Sequence, residues 1–323
     1  MNTDPAPRSS PLLAYGHGIH AFAADCMKPL ETAIHLIESD GRVAFVDTAT
    51  AKVMPQALAA LDTLGLDASA VDYVILTHIH LDHAGGAGVM MDAFPEARLV
   101  VHPRGSRHMV DPTRLMAGVE AVYGREQARR TYGTPTPVAA ERIIPAHDNT
   151  VLRLGSRELL CIDTPGHASH HIAIVDRQTG GAFTGDAFGI SYRKLDVDGR
   201  PLIFPTTSPS QFDPDQMRAS IERLLAFHPE AVYLTHFGRL AAPEKLGEKL
   251  LARLERFVAI ALACRDGEDR SARIRRELAA FVLEETRRHG CPCDDREILD
   301  LWRLDLDLNA QGLAGWLESR DRG

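Results

Sequence analysis

Four side chains able to bind a metal ion lie within six residues of one another in the run Thr-His-Ile-His-Leu-Asp-His-Ala-Gly-Gly. They are His78, His80, Asp82 and His83. Because His78 and His80 are two residues apart, an extended backbone directs both imidazoles to the same side. Imidazole nitrogen and carboxylate oxygen are ligands that zinc and related divalent ions accept, and four in so short a span can serve two neighbouring ions. The pattern predicts a metal centre. The competing interpretation is that these histidines are structural and held only by backbone hydrogen bonds. The cluster would then have arisen by chance, which is rare for a chain of this composition.

Three further polar residues each follow an apolar, strand-like segment. His167 stands in Thr-Pro-Gly-His, Asp186 in Thr-Gly-Asp, and His236 in Leu-Thr-His-Phe-Gly. Taken singly, a histidine at a strand end is more often structural than a ligand. Together with the first motif these residues gain weight, because loops at one edge of a sheet are where binding sites are assembled. A pair of metal ions also needs more ligands than the first motif supplies.

These motifs resemble, in their order along the chain, those of the metallo-β-lactamase superfamily and, within it, the glyoxalase II-like hydrolases. The matching pieces are THIHLDHAGG (77–86), DTPGH (163–167), FTGDAF (183–188) and LTHFG (234–238), and the resemblance covers roughly residues 30–240. It implies an α/β fold, the four-layer αβ/βα sandwich. It also implies that His78, His80 and His167 hold one metal ion, that Asp82, His83 and His236 hold a second, and that Asp186 bridges the two.

The resemblance, together with general metal chemistry, predicts a dinuclear metal-dependent hydrolase acting on a small ester-, thioester- or lactone-like substrate. Two neighbouring divalent ions share a hydroxide at neutral pH because coordination lowers the pKa of water. The ions are expected to be Zn²⁺, with iron or manganese left open. Asp82 is the expected catalytic residue, placed to orient the bridging hydroxide or to take its proton.

Two alternatives remain open. One is a mononuclear iron-dependent persulfide dioxygenase-like enzyme, since that branch of the superfamily uses the same scaffold. The other is a non-enzymatic metal-binding module whose helical tail docks a partner. The motifs themselves depart from exported β-lactamases, which commonly carry a cysteine at the second metal, and from acyl-homoserine lactonases, which carry a tyrosine shortly after the bridging aspartate.

The elements that must position these residues follow from the hydrophobic pattern. Short strands separated by turn residues are predicted before residue 240, with a helical insert at about 103–140. From about Pro243 the composition changes to Leu, Ala, Glu and Arg at helical spacing. We therefore expect a catalytic domain over residues 1–240 and a C-terminal helical extension over 241–323 that packs on it.

Composition and net charge indicate which classes of binding partner to expect. The 323 residues are 45% hydrophobic and carry a formal net charge of −8, so a globular protein with a small-molecule substrate is expected rather than a nucleic-acid-binding one. The N-terminal segment has no apolar run of signal-peptide length and no stretch predicts a membrane span. Five cysteines form no regular framework, and Cys291-Pro-Cys293 is interpreted as a turn between helices. We expect a cytoplasmic protein that does not bind membranes; a homodimer is left open.

Overall fold

The computed structural model describes residues 12–24 and 32–322. Cys26 and most of the N-terminal segment lie outside the described residues. The chain divides into two compact units. The first contains the described residues up to Ala146 together with Val151–Leu159, and the second contains His147–Thr150 and the chain from Leu160 onward. The domain boundary predicted at about residue 240 is not tested by this division and stays a prediction.

The first unit is built on a seven-stranded sheet whose strands lie in chain order, β1 to β7. Strands β1 to β4 pair antiparallel, and β4 to β7 pair parallel. The strands are β1 (Leu13–Gly16), β2 (Ile19–Ala24), β3 (Thr32–Ser39), β4 (Arg42–Val46), β5 (Val71–Ile75), β6 (Arg98–Val101) and β7 (Ile143–Pro145). The helices are α1 (Met54–Thr63), α2 (Leu81–Ala84), α3 (Ala87–Ala93), α4 (Pro103–Val110), α5 (Thr113–Tyr123) and α6 (Arg125–Tyr132).

Strand pairing decides which loops of this unit come together. Val46 at the end of β4 is opposite Ile75 at the end of β5 in the parallel register. Parallel neighbours end at the same edge of a sheet, so the residues that follow β4 and β5 emerge side by side. The predicted helical insert is present as α4, α5 and α6, which lie between β6 and β7.

A second sheet has six strands in the order β13-β12-β11-β10-β9-β8. Within it β10 pairs antiparallel with β11, β11 pairs parallel with β12, and β12 pairs antiparallel with β13. The strands are β8 (Thr150–Leu154), β9 (Arg157–Asp163), β10 (Ile172–Asp176), β11 (Gly181–Phe183), β12 (Ala231–Leu234) and β13 (Gly238–Ala241). The helices of the second unit are α7 (Pro214–Leu225), α8 (Pro243–Ala263), α9 (Arg270–His289) and α10 (Asp295–Arg322).

The C-terminal helices share one hydrophobic core with the strands of the second unit. Trp302 of α10 is fully buried, and its ring packs edge-on against Phe204 at 4.9 Å and against Tyr192 at 5.1 Å between centroids. Leu250 of α8 and Leu278 of α9 belong to the same buried cluster. Amphipathic helices are stabilised mainly by burying such a face. Among the described helices, none carries an apolar run long enough to cross a lipid bilayer.

Candidate metal centre

In the first unit, the histidine motif leads from the end of β5 into α2. The loop after β5 runs through His78 and His80, and α2 begins directly after His80. The His80 carbonyl accepts hydrogen bonds from the backbone N–H groups of His83 (3.0 Å) and Ala84 (2.8 Å). This single helical turn brings Asp82 and His83 next to the two preceding histidines, as the spacing predicts.

The four side chains form two close pairs within this unit. The His78 Nε2 and His80 Nδ1 atoms are 2.8 Å apart, and the His83 Nε2 and Asp82 Oδ2 atoms are 3.6 Å apart. His78 and His83 are fully buried, whereas the Asp82 side chain is 31% exposed. Two nitrogens facing each other in one pair, and a nitrogen beside a carboxylate in the other, provide partial ligand sets for two ions.

Asp47, directly after β4, fixes the orientation of His83. Its Oδ2 atom lies 2.8 Å from His83 Nδ1, and both groups are fully buried. Its Oδ1 atom accepts a hydrogen bond from the Thr77 backbone N–H (2.8 Å), and the Thr77 hydroxyl lies within 3.0 Å of both carboxylate oxygens. With the Nδ1 proton donated to Asp47, the lone pair of the neutral His83 ring is on Nε2, the atom that faces Asp82.

The backbone after Asp47 also holds the His83 turn. The carbonyl of His83 accepts hydrogen bonds from the Thr48 backbone N–H (2.7 Å) and hydroxyl (2.8 Å). A Cβ at Gly86 would lie 2.6 Å from the Thr48 carbonyl oxygen and 2.7 Å from that of Thr50. Only glycine fits so close an approach of two backbones, which explains the Gly-Gly pair that ends the motif.

In the second unit, Asp186 and His236 follow two parallel strands. Phe183 at the end of β11 is opposite Tyr233 in β12, so both loops leave the sheet at the same edge. Asp186 Oδ2 lies 3.4 Å from His167 Nε2, and Asp186 Oδ1 lies 3.8 Å from His236 Nε2. All three side chains are buried. Each oxygen of the carboxylate thus faces a different histidine, as expected of a carboxylate that bridges two ions.

His171 has both ring nitrogens engaged by the protein. Its Nε2 atom accepts a hydrogen bond from the Asp186 backbone N–H (3.2 Å), so the proton must be on Nδ1, which lies 2.8 Å from the Thr164 hydroxyl. A neutral imidazole with one donor and one acceptor satisfied has no lone pair left for a metal ion. His171 therefore supports the loop of Asp186 through these two hydrogen bonds.

The donor chemistry fits divalent metal ions. Five imidazoles and two carboxylates make up the candidate ligands, and all are buried except His80 and Asp82, which are half-buried. The described residues contain His and Asp groups that can hold an ion. Buried carboxylates and histidines in this number are costly unless a cation or hydrogen bonds compensate them. Nδ1 of His83 donates to Asp47 and Nδ1 of His167 donates to the Thr206 carbonyl, so the lone pair of each neutral ring is on Nε2.

Comparison with known proteins identifies the family. The family model described as the metallo-beta-lactamase superfamily matches residues 27–236, more than half of the chain. The chain belongs to this superfamily. Its members are mostly metallo-hydrolases and typically bind two metal ions. The resemblance based on the sequence motifs is therefore confirmed, as is the predicted fold class, an α/β sandwich with C-terminal helices.

Individual superfamily members are similar to the chain at low identity. It is 26% identical over 190 residues to the metallo-beta-lactamase fold-containing protein ST1585 of Sulfurisphaera tokodaii, covering 58% of this chain and 67% of that protein. It is 27% identical over 186 residues to a hydroxyacylglutathione hydrolase of Xanthomonas campestris, covering 58% of this chain and 54% of the relative, so the match spans about half of that hydrolase. The crystal structure of the metallo-beta-lactamase family protein TTHA1429 from Thermus thermophilus has a similar fold, with a TM-score of 0.67 at 22% identity, covering 96% of this chain and 95% of that one.

The sequence motifs identified the candidate ligands but not the residues that position them. Asp47 was missed, although an acidic residue directly after the apolar strand Val43–Val46 was a usable signal. Its partner Thr77 was noted only as part of the histidine motif. The seven candidate ligands therefore stay a prediction, and the structure adds the residues that hydrogen-bond to them within each unit.

Proposed function

We propose that this superfamily member is a dinuclear metal-dependent hydrolase of small ester- or thioester-like substrates, lactones included. The observation that carries the proposal is the arrangement of Asp186, whose two oxygens face two different histidines. A carboxylate in a mononuclear site needs to direct only one oxygen at the ion. One histidine facing each carboxylate oxygen is the arrangement expected when two metal ions share this carboxylate as a ligand.

His78, His80 and His167 would hold the first ion, Asp82, His83 and His236 would hold the second, and Asp186 would bridge them. The pairing within the first unit supports this division, because His78 is beside His80 and Asp82 is beside His83. Zn²⁺ accepts such nitrogen and oxygen ligands, and iron and manganese accept them too.

The bound ions would supply an activated water and polarise the scissile carbonyl group. The rest of the chemistry falls to residues of this chain. Asp82 is the candidate proton acceptor, because its side chain is partly exposed and can be reached by water. One of its oxygens lies 3.6 Å from His83 Nε2, beside the proposed second ion. Asp47 and Thr77 keep His83 in the tautomer that binds metal, and so act on the reaction indirectly.

The substrate class rests on chemistry and on similarity. A water-derived nucleophile needs an electrophilic carbonyl with a good leaving group, which esters, thioesters and lactones provide. Hydroxyacylglutathione hydrolases are among the similar proteins, at 27% identity over about half of their length. We therefore place a small thioester first among the substrates to be tested, with a small molecule rather than a macromolecule as the partner.

The test compares a second-ion ligand with a matched histidine outside the site. His236→Ala should lower thioester or ester hydrolysis by about 10²-fold or more, because both ions are needed to activate the nucleophile. His228→Ala removes an exposed histidine that pairs with Glu244 in the same unit and should leave turnover unchanged. Circular dichroism and elemental analysis of both variants establish that the fold is intact and how many ions are bound.

The same experiment also tests the mononuclear iron alternative. A single-iron dioxygenase would depend on His78, His80 and His167 and tolerate the loss of His236. Near-normal turnover of His236→Ala, together with one iron per wild-type chain and oxygen consumption with a persulfide substrate, would replace the hydrolase proposal.

A further inference from the structure

The loop that carries His167 is held by hydrogen bonds along its backbone. The carbonyl oxygens of this loop accept bonds from a segment that runs from the loop before α7 into α7 itself. The Arg223 side chain donates to the Asp163 carbonyl (3.1 Å), and the Ser220 hydroxyl donates to the Pro165 carbonyl (2.6 Å). The Asp213 backbone N–H donates to the Gly166 carbonyl (2.8 Å), and the Ser208 hydroxyl donates to the His167 carbonyl (2.6 Å). The position of the His167 backbone is therefore set by residues 208–223.

The His167 ring is oriented by a separate contact. Its Nδ1 atom lies 3.2 Å from the backbone carbonyl oxygen of Thr206, which can only accept, so Nδ1 carries the proton and the lone pair of the neutral ring is on Nε2, the atom that would bind metal. The orientation of this ligand consequently depends on where the Thr206 carbonyl points. A rotation of that peptide would remove the acceptor and allow the other tautomer.

The peptide between Thr206 and Thr207 is held from its other side by α10. The Thr207 N–H belongs to the same planar peptide unit as the Thr206 carbonyl, and it donates to Asn309 Oδ1 at 2.7 Å. In a trans peptide the N–H and the C=O point in opposite directions, so fixing one fixes the other. Asn309 is 1% exposed, and the Thr207 hydroxyl also donates to the Asn309 backbone carbonyl at 3.3 Å.

The backbone of α10 packs closely against the loop that contains Thr207. A Cβ at Gly312 would lie 2.2 Å from the Thr207 hydroxyl oxygen and 2.8 Å from the Ser208 carbonyl oxygen. One turn further, a Cβ at Gly315 would lie 2.8 Å from the Pro209 carbonyl oxygen. Glycines at these two positions allow the helix to approach the loop backbone closely enough for the Asn309 side chain to reach the peptide.

We propose that Asn309 is a positioning residue for the metal ligand His167, acting through the peptide of Thr206 and Thr207. The C-terminal helix α10 then contributes to metal affinity as well as to the core. The inference rests on the proposed role of His167 as a ligand, and adds a role for the C-terminal extension that the metal-binding motifs do not contain. Hydrogen bonds linked in series also polarise one another, which strengthens the donor character of Nε2.

Two substitutions of Asn309 separate positioning from packing. Asn309→Leu keeps the approximate size but removes the acceptor, whereas Asn309→Asp keeps an acceptor oxygen in place. Zn²⁺ affinity is measured by chelator competition on folded protein, and the Co²⁺-loaded form is compared by its visible absorption spectrum. We expect affinity about tenfold weaker for Asn309→Leu, the lower end of the range for residues that orient metal ligands. Asn309→Asp should stay within about threefold of the wild type, because a carboxylate oxygen also accepts from a backbone N–H.

A control on the same helix distinguishes this result from general destabilisation. Leu306→Ala removes a buried side chain of α10 without altering the bonds to Thr207, and should lower the melting temperature while leaving Zn²⁺ affinity and the Co²⁺ spectrum unchanged. If Asn309→Leu behaves like Leu306→Ala, the positioning role is overturned. Should Asn309→Leu not fold, Gly312→Ala tests the same contact by displacing the loop while retaining Asn309. Wild-type affinity in that variant would also overturn the proposal.

His167→Ala serves as the reference that separates the two levels of inference. Strong loss of Zn²⁺ in His167→Ala with normal affinity in Asn309→Leu refutes the positioning role alone. Unchanged Zn²⁺ affinity in His167→Ala refutes the ligand assignment on which both proposals depend.

Discussion

Asp47→Asn is the sharpest test of how the first unit prepares its ligands. Three donors meet at the Asp47 carboxylate, namely the Nδ1–H of His83 and the backbone N–H and hydroxyl of Thr77. An asparagine has the same shape but one acceptor oxygen and an NH₂ group that can only donate. Asp47 has a backbone φ of +61°, a conformation that asparagine adopts more readily than most residues. The substitution should therefore change hydrogen bonding with little backbone strain.

The expected loss follows from the number of bonds that can survive. With one oxygen for three donors, His83 either loses its acceptor or competes with Thr77 for it. A hydrogen bond to a charged group contributes about 1.5–3 kcal/mol, and about 1.4 kcal/mol corresponds to a factor of ten in affinity. Affinity for the ion bound by His83 should consequently fall by about 10- to 100-fold, in line with the usual effect of removing a carboxylate behind a metal-binding histidine.

The assay is Zn²⁺ binding by chelator competition, with stepwise dissociation constants for the first and second ion. Asp72→Asn is the matched control, since it also neutralises an aspartate of the first unit, one that pairs with Arg42 away from the histidines. That variant should bind Zn²⁺ like the wild type. Dissociation constants for both ions within about twofold of wild type in Asp47→Asn would refute the argument, because no bond of the expected strength could then be lost.

Two further predictions concern charge. Asp186→Ala should remove most of the bound metal, because one carboxylate faces both His167 and His236; full occupancy by elemental analysis would exclude a bridging role. Burial lowers the pKa of His35 from 6.5 to about 4, against an opposing effect of Asp47, so the unfolded chain binds a proton that the folded chain does not. Stability from this difference is present above pH 6.5 and is lost as the pH falls toward 4, by about 3 kcal/mol. Urea unfolding at about pH 7 and about pH 4.5 measures how much unfolding free energy is lost between the two pH values. The loss should be smaller in His35→Gln than in the wild type or in the control His147→Gln, which replaces an exposed histidine. Equal losses in all three proteins would contradict the prediction.

Local patterns predicted much of the secondary structure. Residues 32–38 and 42–47 are two apolar runs separated by the turn signal Ser-Asp-Gly, a pattern typical of a hairpin, and the structure has strands Thr32–Ser39 and Arg42–Val46 there. The strand Ile19–Ala24 was not recognised. Five of its six residues are buried, so it lacks the polar-apolar alternation by which a half-exposed strand is identified.

The hydrogen-bond partners of the supporting residues could not be predicted, because they depend on strand pairing and peptide geometry. Asp47 lies 36 positions before His83 in the chain and meets it through the parallel register of β4 and β5. Asn309 lies 102 positions after Thr207, and only the packing of α10 shows that it reaches a particular N–H. A single sequence contains no signal for which peptide faces which side chain.

The same physical solution recurs in both units and explains why the ligand motifs alone are not sufficient for a metal site. A histidine has two nitrogens, and an ion can be bound tightly only if the protein has already committed one of them elsewhere. Asp47 does this for His83, and the Thr206 carbonyl does it for His167. In the first case the acceptor is a side chain after a neighbouring parallel strand, and in the second it is a backbone group whose direction depends on a helix at the end of the chain. A protein that carries the motifs but lacks these acceptors should therefore bind metal more weakly.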